Sequence, residues 1–314
     1  MTNRILVTGG AGNVASAVVR KLADNGDNDI VVADNLLTGS ADRVPVHMPN
    51  VCFIKCDVND FQDISSLFYA FDFDYVFHYA AVVGVQRTLD NPLWVLRDIT
   101  GIENLLRLSK NTGVRRIYYS SSSEVYGEPF EVPQNEDTTP LNSRLPYAVV
   151  KNLGEVYLRT YHREFGLEYI IFRLFNTYGP NQSDDFVLPR FVRAALQNQD
   201  IPVYGDGSQT RTFCYVDDNV DACLAAHYKG RFVNDTVNIG GADEISIRDL
   251  AELVIRVLDS GSKIRNLPPL PEGDMTRRRP DLHKMGELLA REPVSLEEGI
   301  RRLAEHYRSV GVGS

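Results

Sequence analysis

Two short stretches of the chain hold the residue types that could do chemistry together. Ser120-Ser121-Ser122-Ser123-Glu124-Val125-Tyr126-Gly127 offers hydroxyls and a carboxylate, and Tyr147-Ala148-Val149-Val150-Lys151 offers a phenol and an ammonium. Such a set can take a proton from an alcohol while a hydride leaves its carbon. Tyr147 and Lys151 are four residues apart, so on a helix they share a face. Taken alone, Tyr-x-x-x-Lys is an ordinary surface helix pair, and the elements around it must decide its meaning.

The N-terminus supplies the first of these elements. Arg4–Thr8 reads as a short apolar strand, and Gly9-Gly-Ala-Gly12-Asn-Val-Ala15 turns from it into an amphipathic helix over Ser16–Asn25. Strand, glycine turn and helix start form a pyrophosphate cradle: Gly9 and Gly12 let the backbone approach, and the free N–H groups near Asn13 and Val14 face the anion. Asp29–Asp34 is the next strand, and Asp34 ends it where such folds bind the adenosine ribose. Asn35-Leu36-Leu37-Thr38-Gly39 follows without an arginine. A carboxylate there accepts from a 2′-hydroxyl and repels a 2′-phosphate, which favours NAD over NADP. An ordinary strand-end turn is the plainer reading of Asp34.

Asp57-Val58 ends a third strand and can meet the adenine edge. Asp74–Ala81 is a fourth, its Tyr79-Ala80-Ala81 end small enough for a dinucleotide to lie flat, with His78 read as a satisfied strand-end histidine. Asn91–Ser109 has helical spacing and Val114–Tyr119 is a fifth strand, so the serine run falls at a strand's C-terminal end. A helix follows from Tyr147 to about Phe165, and Tyr169–Phe175 is another buried strand. Alternating strand and helix predict an α/β, Rossmann-like doubly wound parallel sheet with ligands beyond the strands' C-terminal ends. With a nicotinamide's positive charge nearby, Lys151 should lower the Tyr147 pKa and make the phenol a general base.

Composition narrows the classes. The chain has 314 residues, 43% apolar and 24% charged, which suits a soluble α/β protein with a smaller lobe. A net charge of −9 argues against non-specific nucleic-acid binding. No apolar run approaches the roughly 20 residues that span a bilayer. Met-Thr-Asn-Arg enters a strand directly with no signal-peptide layout, so the cytoplasm is expected. Cys52 and Cys56 sit on one strand, roughly 13 Å apart and too far for a disulfide. With Cys214 and Cys223 they read as reduced, partly buried fillers, and no Cys/His spacing suggests a metal.

We expect residues 1–175 to form the dinucleotide-binding domain and 176–314 mainly a substrate lobe, some segments returning to the first domain. The second half reads as loop-rich through Asn176–Pro180, Val187–Arg190, Ile201–Arg211 and Asp274–Asp281. Arg190, Arg211 and Arg277–Arg279 put cations into an acidic chain, and an arginine fork suits bidentate phosphate contacts. Two of the triple-arginine run are expected to belong to a solvated face.

These motifs together resemble the extended short-chain dehydrogenase/reductase family, in particular its nucleotide-sugar epimerases and dehydratases. The resemblance runs from Ile5 to about Arg302. It rests on Thr8–Gly12, Asp34–Gly39, Asp57-Val58, His78–Ala81, Ser120–Gly127, Tyr147 with Lys151, Arg173–Pro180, Val203–Gly207, Arg211 and Arg278–Asp281. It implies tightly held NAD and a C-terminal lobe for a nucleoside diphosphate sugar. By position, Tyr147 would deprotonate the sugar C4 hydroxyl, Ser122 would relay that proton, and Lys151 would tune Tyr147 and hold the nicotinamide ribose. Asn176 and Arg211 would grip the diphosphate, with Arg278 a further candidate. Arg87, Ser123, Arg190 and Tyr204 complete the expected substrate set. A homodimer through the helices near 92–111 and 146–165, as a four-helix bundle, is also implied.

Some positions depart from the family pattern. The usual Gly-Phe-Ile-Gly turn is Gly12-Asn-Val-Ala15, and Asp98 stands where asparagine is common. Glu124 divides the possible reactions, because the family's dehydratases and uronate decarboxylases usually carry that carboxylate and its epimerases usually do not. In dehydratases it removes the C5 proton once C4 is a ketone. The commonest dehydratase form is Asp-Glu, whereas Ser123-Glu124 supplies the glutamate alone. The plainer reading is a turn cap or an ion pair with Arg87.

Val82–Thr88 reads like an epimerase, and the surroundings of Tyr147 lack the decarboxylase pattern. We therefore place 4-epimerisation first, ahead of 4,6-dehydration, decarboxylation and net C4 dehydrogenation. An NAD-binding regulatory protein that kept the fold and lost the chemistry is the non-enzymatic alternative.

Overall fold

The computed structural model describes residues 2–269 and 276–311. Its centre is a seven-stranded sheet in the order β11-β6-β5-β4-β1-β2-β3, with every neighbouring pair parallel. The chain builds it from β1 (Asn3–Thr8), α1 (Asn13–Ala23), β2 (Asn28–Asp34), β3 (Val51–Lys55), α2 (Phe61–Ala70) and β4 (Tyr75–His78). There follow α3 (Val85–Asp90), α4 (Pro92–Thr112), β5 (Arg116–Ser122), α5 (Pro146–Phe165) and β6 (Glu168–Leu174).

Strands buried on both faces read as near-continuous apolar runs, and Ile5-Leu6-Val7 and Ile30–Ala33 are of that kind. One face of the sheet is covered by α1 and the other by α2, α4 and α5, giving two large apolar clusters. The strand order reverses at β1, between β2 and β4. A crevice therefore opens there beyond the strands' C-terminal ends.

Element bounds differ modestly from expectation. The first helix starts at Asn13, immediately after Gly12, and the serine run ends β5 itself instead of following it. Helix α2 was not foreseen, although Asp60 caps it by accepting from the Gln62 and Asp63 N–H groups.

The expected loop-rich second half is instead largely ordered structure. It contains β7 (Thr177–Tyr178), α6 (Val187–Leu196), β8 (Ile201–Tyr204), β9 (Thr210–Thr212), β10 (Cys214–Tyr215) and α7 (Val216–Lys229). After these come β11 (Asp235–Ile239), β12 (Glu244–Ser246), α8 (Ile247–Leu258), β13 (Ile264–Leu267), α9 (His283–Leu288) and α10 (Leu296–Ser309). Two of these join elements from residues 1–175, since β11 pairs with β6 and α7 packs on α1. Of the stretch Asp274–Asp281 read as loop, the first two residues lie outside the described residues. Among the described residues all four cysteines are free, no group of side chains could hold a metal, and no helix is long and apolar enough to cross a membrane.

Candidate active site

A cavity of about 600 Å³ fills the crevice at the strand-order reversal. Its floor begins at the β1–α1 turn. Gly9 has φ +68°, and a Cβ there would lie 2.5 Å from the Ala80 nitrogen, so only glycine fits. Gly12 precedes α1 with no side-chain cap, which leaves the amides of Asn13, Val14 and Ala15 open to the cavity. The buried Asn13 Oδ1 has no hydrogen-bond partner among the described residues. An uncapped helix start beside a glycine that leaves no room for a Cβ fits a pyrophosphate, which the open helix amides would donate to.

Asp34 lines the next part of the wall. Its Oδ2 accepts from the Ala11 N–H at 3.0 Å and its Oδ1 from the Leu36 N–H at 2.8 Å. Asn35, Thr38, Asp57, Val58, Tyr79, Ala80 and Ala81 also line the cavity. Leu36 and Gly39 do not: Leu36 packs into the main apolar cluster and Gly39 lies on Ala11. Arg43, four residues past Gly39, reaches the same wall and donates to the Ala11 carbonyl at 3.4 Å. His78 is engaged with Thr8 Oγ1 at 2.7 Å, and burial holds it down to about 3, hence neutral.

Beyond this slot, the end of β5 meets the start of α5. Pro146 at the first turn starts α5 with φ already set, and Tyr147 is thereby aimed at the serine run. Ser122 hydrogen-bonds the Tyr147 phenol and accepts from the Glu124 N–H at 3.2 Å. Lys151, 3% exposed, donates from Nζ to the Ser120 carbonyl at 2.7 Å and lies 5.8 Å from the Tyr147 ring centre. Burial draws the Lys151 ammonium down to about 8, opposed by the Asp98 carboxylate.

The expected depression of the Tyr147 pKa is not found in the protein alone. Burial pushes the phenol above its ordinary value, the Glu124 and Asp98 carboxylates add to this, and the Ser122 hydrogen bond and Arg278 oppose it. Lys151 spends its nearest contact on the Ser120 carbonyl instead.

Glu124 has a partner other than the one considered for it. Its Oε1 pairs with Arg278 Nη1 at 3.3 Å, both side chains shielded and both on the cavity wall. Arg87 also lines the cavity but pairs with Asp185 at 2.7 Å. Ser123 and Asn176 line it too, Asn176 donating to the Thr212 carbonyl at 3.0 Å. Of the triple-arginine run only Arg278 turns inward, while Arg277 pairs with Glu244 and Arg279 is exposed.

Arg190, Tyr204 and Arg211 are not on the cavity wall. The Arg190 guanidinium lies over the Tyr204 ring at 5.4 Å, and Arg211, 6% exposed on β9, donates to the Thr210 carbonyl at 2.6 Å. Asn59 was missed: it bonds Asp98 and accepts from the Gly101 N–H at 3.0 Å, bracing Asp98 against the cavity. The departure from asparagine at Asp98 was the one signal that pointed there.

Comparison with known proteins places the chain among relatives of one family and fold. A model of the NAD dependent epimerase/dehydratase family matches residues 5–240. UDP-glucuronic acid decarboxylase 3 of Arabidopsis thaliana is 36% identical over 97% of this chain and 89% of that protein. The structure of the UDP-glucose 4-epimerase of Thermotoga maritima with UDP-glucose superposes with a TM-score of 0.91 at 32% identity, covering 98% of this chain and 99% of that one. That of the UDP-glucose 4-epimerase of Thermus thermophilus with NAD gives 0.89 at 30% identity, covering 97% and 99%.

Proposed function

This chain belongs to the NAD-dependent epimerase/dehydratase family, and from that premise we propose that it is a nucleoside diphosphate sugar 4-epimerase. The uncapped α1 start, Asp34 and Asp57-Val58 would hold NAD. Once bound, NAD supplies the hydride acceptor for the C4–H and a positive ring that draws the Tyr147 pKa down. Tyr147 takes the C4 hydroxyl proton, Ser122 hydrogen-bonds the same oxygen, and Lys151 supports the phenolate from the Ser120 side. The product of that step is a 4-keto sugar.

The single observation that favours epimerisation is the ion pair of Glu124 with Arg278. Elimination needs a free carboxylate to remove the C5 proton, and Glu124 is committed to a guanidinium. Reduction of the ketone from its other face would return the hydride taken from C4, and of the protein it asks only that Tyr147 and Ser122 give back the proton. A second reading rests on Arg278 itself. Among the described residues its buried Nε has no hydrogen-bond partner, so the C6 carboxylate of a uronic acid could bind there, and a 4-keto uronate loses CO₂ readily. Incubation with UDP-glucose, UDP-N-acetylglucosamine and UDP-glucuronic acid, followed by NMR, separates the readings. The C4 epimer supports the first, and a pentose product with CO₂ replaces it with the second.

The assembly proposed is a homodimer. Leu93, Leu96, Val149 and Val156 are exposed apolar side chains on α4 and α5, which pack side by side. A second copy covering this face would bury them in a four-helix bundle. Four free thiols suit a reducing compartment, and we place the enzyme in the cytoplasm.

A further inference from the structure

Ser121 and Glu155 have no part in the mechanism above, yet they sit against it. Tyr147, Lys151 and Glu155 are spaced by four along α5 and so share one face. Opposite them lie three consecutive serines at the end of β5. Ser122 hydrogen-bonds Tyr147, the Ser120 carbonyl accepts from Lys151 at 2.7 Å, and Ser121 Oγ donates to Glu155 Oε1 at 2.6 Å. Three rungs thus tie the last turn of a strand to the first turns of a helix.

The third rung has the stiffest backing. Glu155 is fully buried, and it accepts from Arg173 Nε at 3.0 Å, Arg173 Nη2 at 2.8 Å and Arg159 Nη2 at 3.0 Å. Arg173, on β6, is itself 2% exposed and donates on to Tyr126 at 2.8 Å. A carboxylate held at four points has little freedom to move. Ser121 is hydrogen-bonded to that fixed point and is covalently next to Ser122.

We propose that Ser121 and Glu155 are positioning residues, a rung that sets the distance between the Ser122 hydroxyl and the Tyr147 phenol. The inference rests on the reading of Ser122 and Tyr147 as the proton-handling pair. It gives the Ser121 hydroxyl a role beside that of Ser122, where one hydroxyl would suffice for the chemistry.

Ser121→Ala is the test, because it deletes one donor and leaves Glu155 paired with both arginines. Thr236→Val is the comparison: it removes the acceptor for Arg159 at 3.1 Å, on the side of the network away from the cavity. For Ser121→Ala we expect kcat for the sugar substrate to fall about tenfold or more with KM within twofold. Amide hydrogen exchange should quicken in the segments 120–127 and 145–152 and stay unchanged along β1. Thr236→Val should leave kcat within twofold at a comparable loss in Tm.

Unchanged exchange in 145–152, or equal kcat losses in the two variants, would overturn the proposal. A wild-type protein that turns over no nucleotide sugar would instead overturn the functional reading, and the exchange result would still decide whether the rung holds the two segments together.

Discussion

Glu124 and Arg278 meet across the cavity, Oε1 to Nη1 at 3.3 Å, although 154 positions separate them in the chain. The pair makes Glu124 a charge partner. Glu124→Gln should therefore lower kcat by less than about tenfold and raise KM, because Arg278 loses its counter-charge. Tyr147→Phe should lower kcat by about 10²- to 10⁴-fold with little change in KM, as expected for loss of a general base. Steady-state kinetics on both variants checks the contrast.

Lys151 ties folding stability to pH. Its ammonium is drawn down to about 8 in the folded protein from an ordinary 10.5, so burial disfavours its charged form. The penalty is full below about pH 8 and vanishes as pH rises through 10.5, where the unfolded chain also loses the proton. Lys151→Met should thus be more stable than wild type at pH 7, by up to about 3 kcal/mol less the lost hydrogen bond to Ser120. Urea denaturation from pH 7 to 10.5 should show that gap closing.

Gly9→Ala tests the cofactor cradle. At φ +68° the new methyl would meet the Ala80 backbone at 2.5 Å, and neither strand end can retreat within a parallel sheet. We expect a stability loss of about 1–3 kcal/mol and much weaker binding of added NAD, read by isothermal titration calorimetry against the wild type.

The dimer proposal predicts that Leu93→Glu combined with Val156→Glu yields a monomer. Leu93 is 73% exposed and Val156 49%, so neither change disturbs the protomer's core. Sedimentation equilibrium would give half the wild-type mass with the helical circular dichroism retained.

The candidate site was legible where its signals are local. Tyr147 and Lys151 announce themselves by a spacing of four, and the glycine turn by its place between a strand and a helix. Misreadings came where proline stood in a permitted position. Pro189 is the third residue of α6, where its missing N–H would have had no helical partner, so Val187–Arg190 looked like loop and is helix. Pro202 sits in β8, a strand of a two-stranded sheet with an edge to spare. The Glu124–Arg278 pair and the return of β11 to the main sheet depend on contacts between distant segments, and no local pattern encodes them. Arg190 and Arg211 stood out as cations in an acidic chain and Tyr204 through the resemblance, but neither signal could say whether they faced the cavity.

The most direct test of the account follows one hydrogen. A nucleoside diphosphate sugar deuterated at C4 is converted by the wild-type protein in ordinary water, and the same sugar without label is converted in D₂O. If Tyr147 and Ser122 shuttle only the hydroxyl proton, the epimer keeps its deuterium at C4 in the first case and gains no carbon-bound deuterium in the second. Deuterium at C5 with a new C6 methyl group in D₂O would contradict the account, make Glu124 the base, and turn the reaction into elimination.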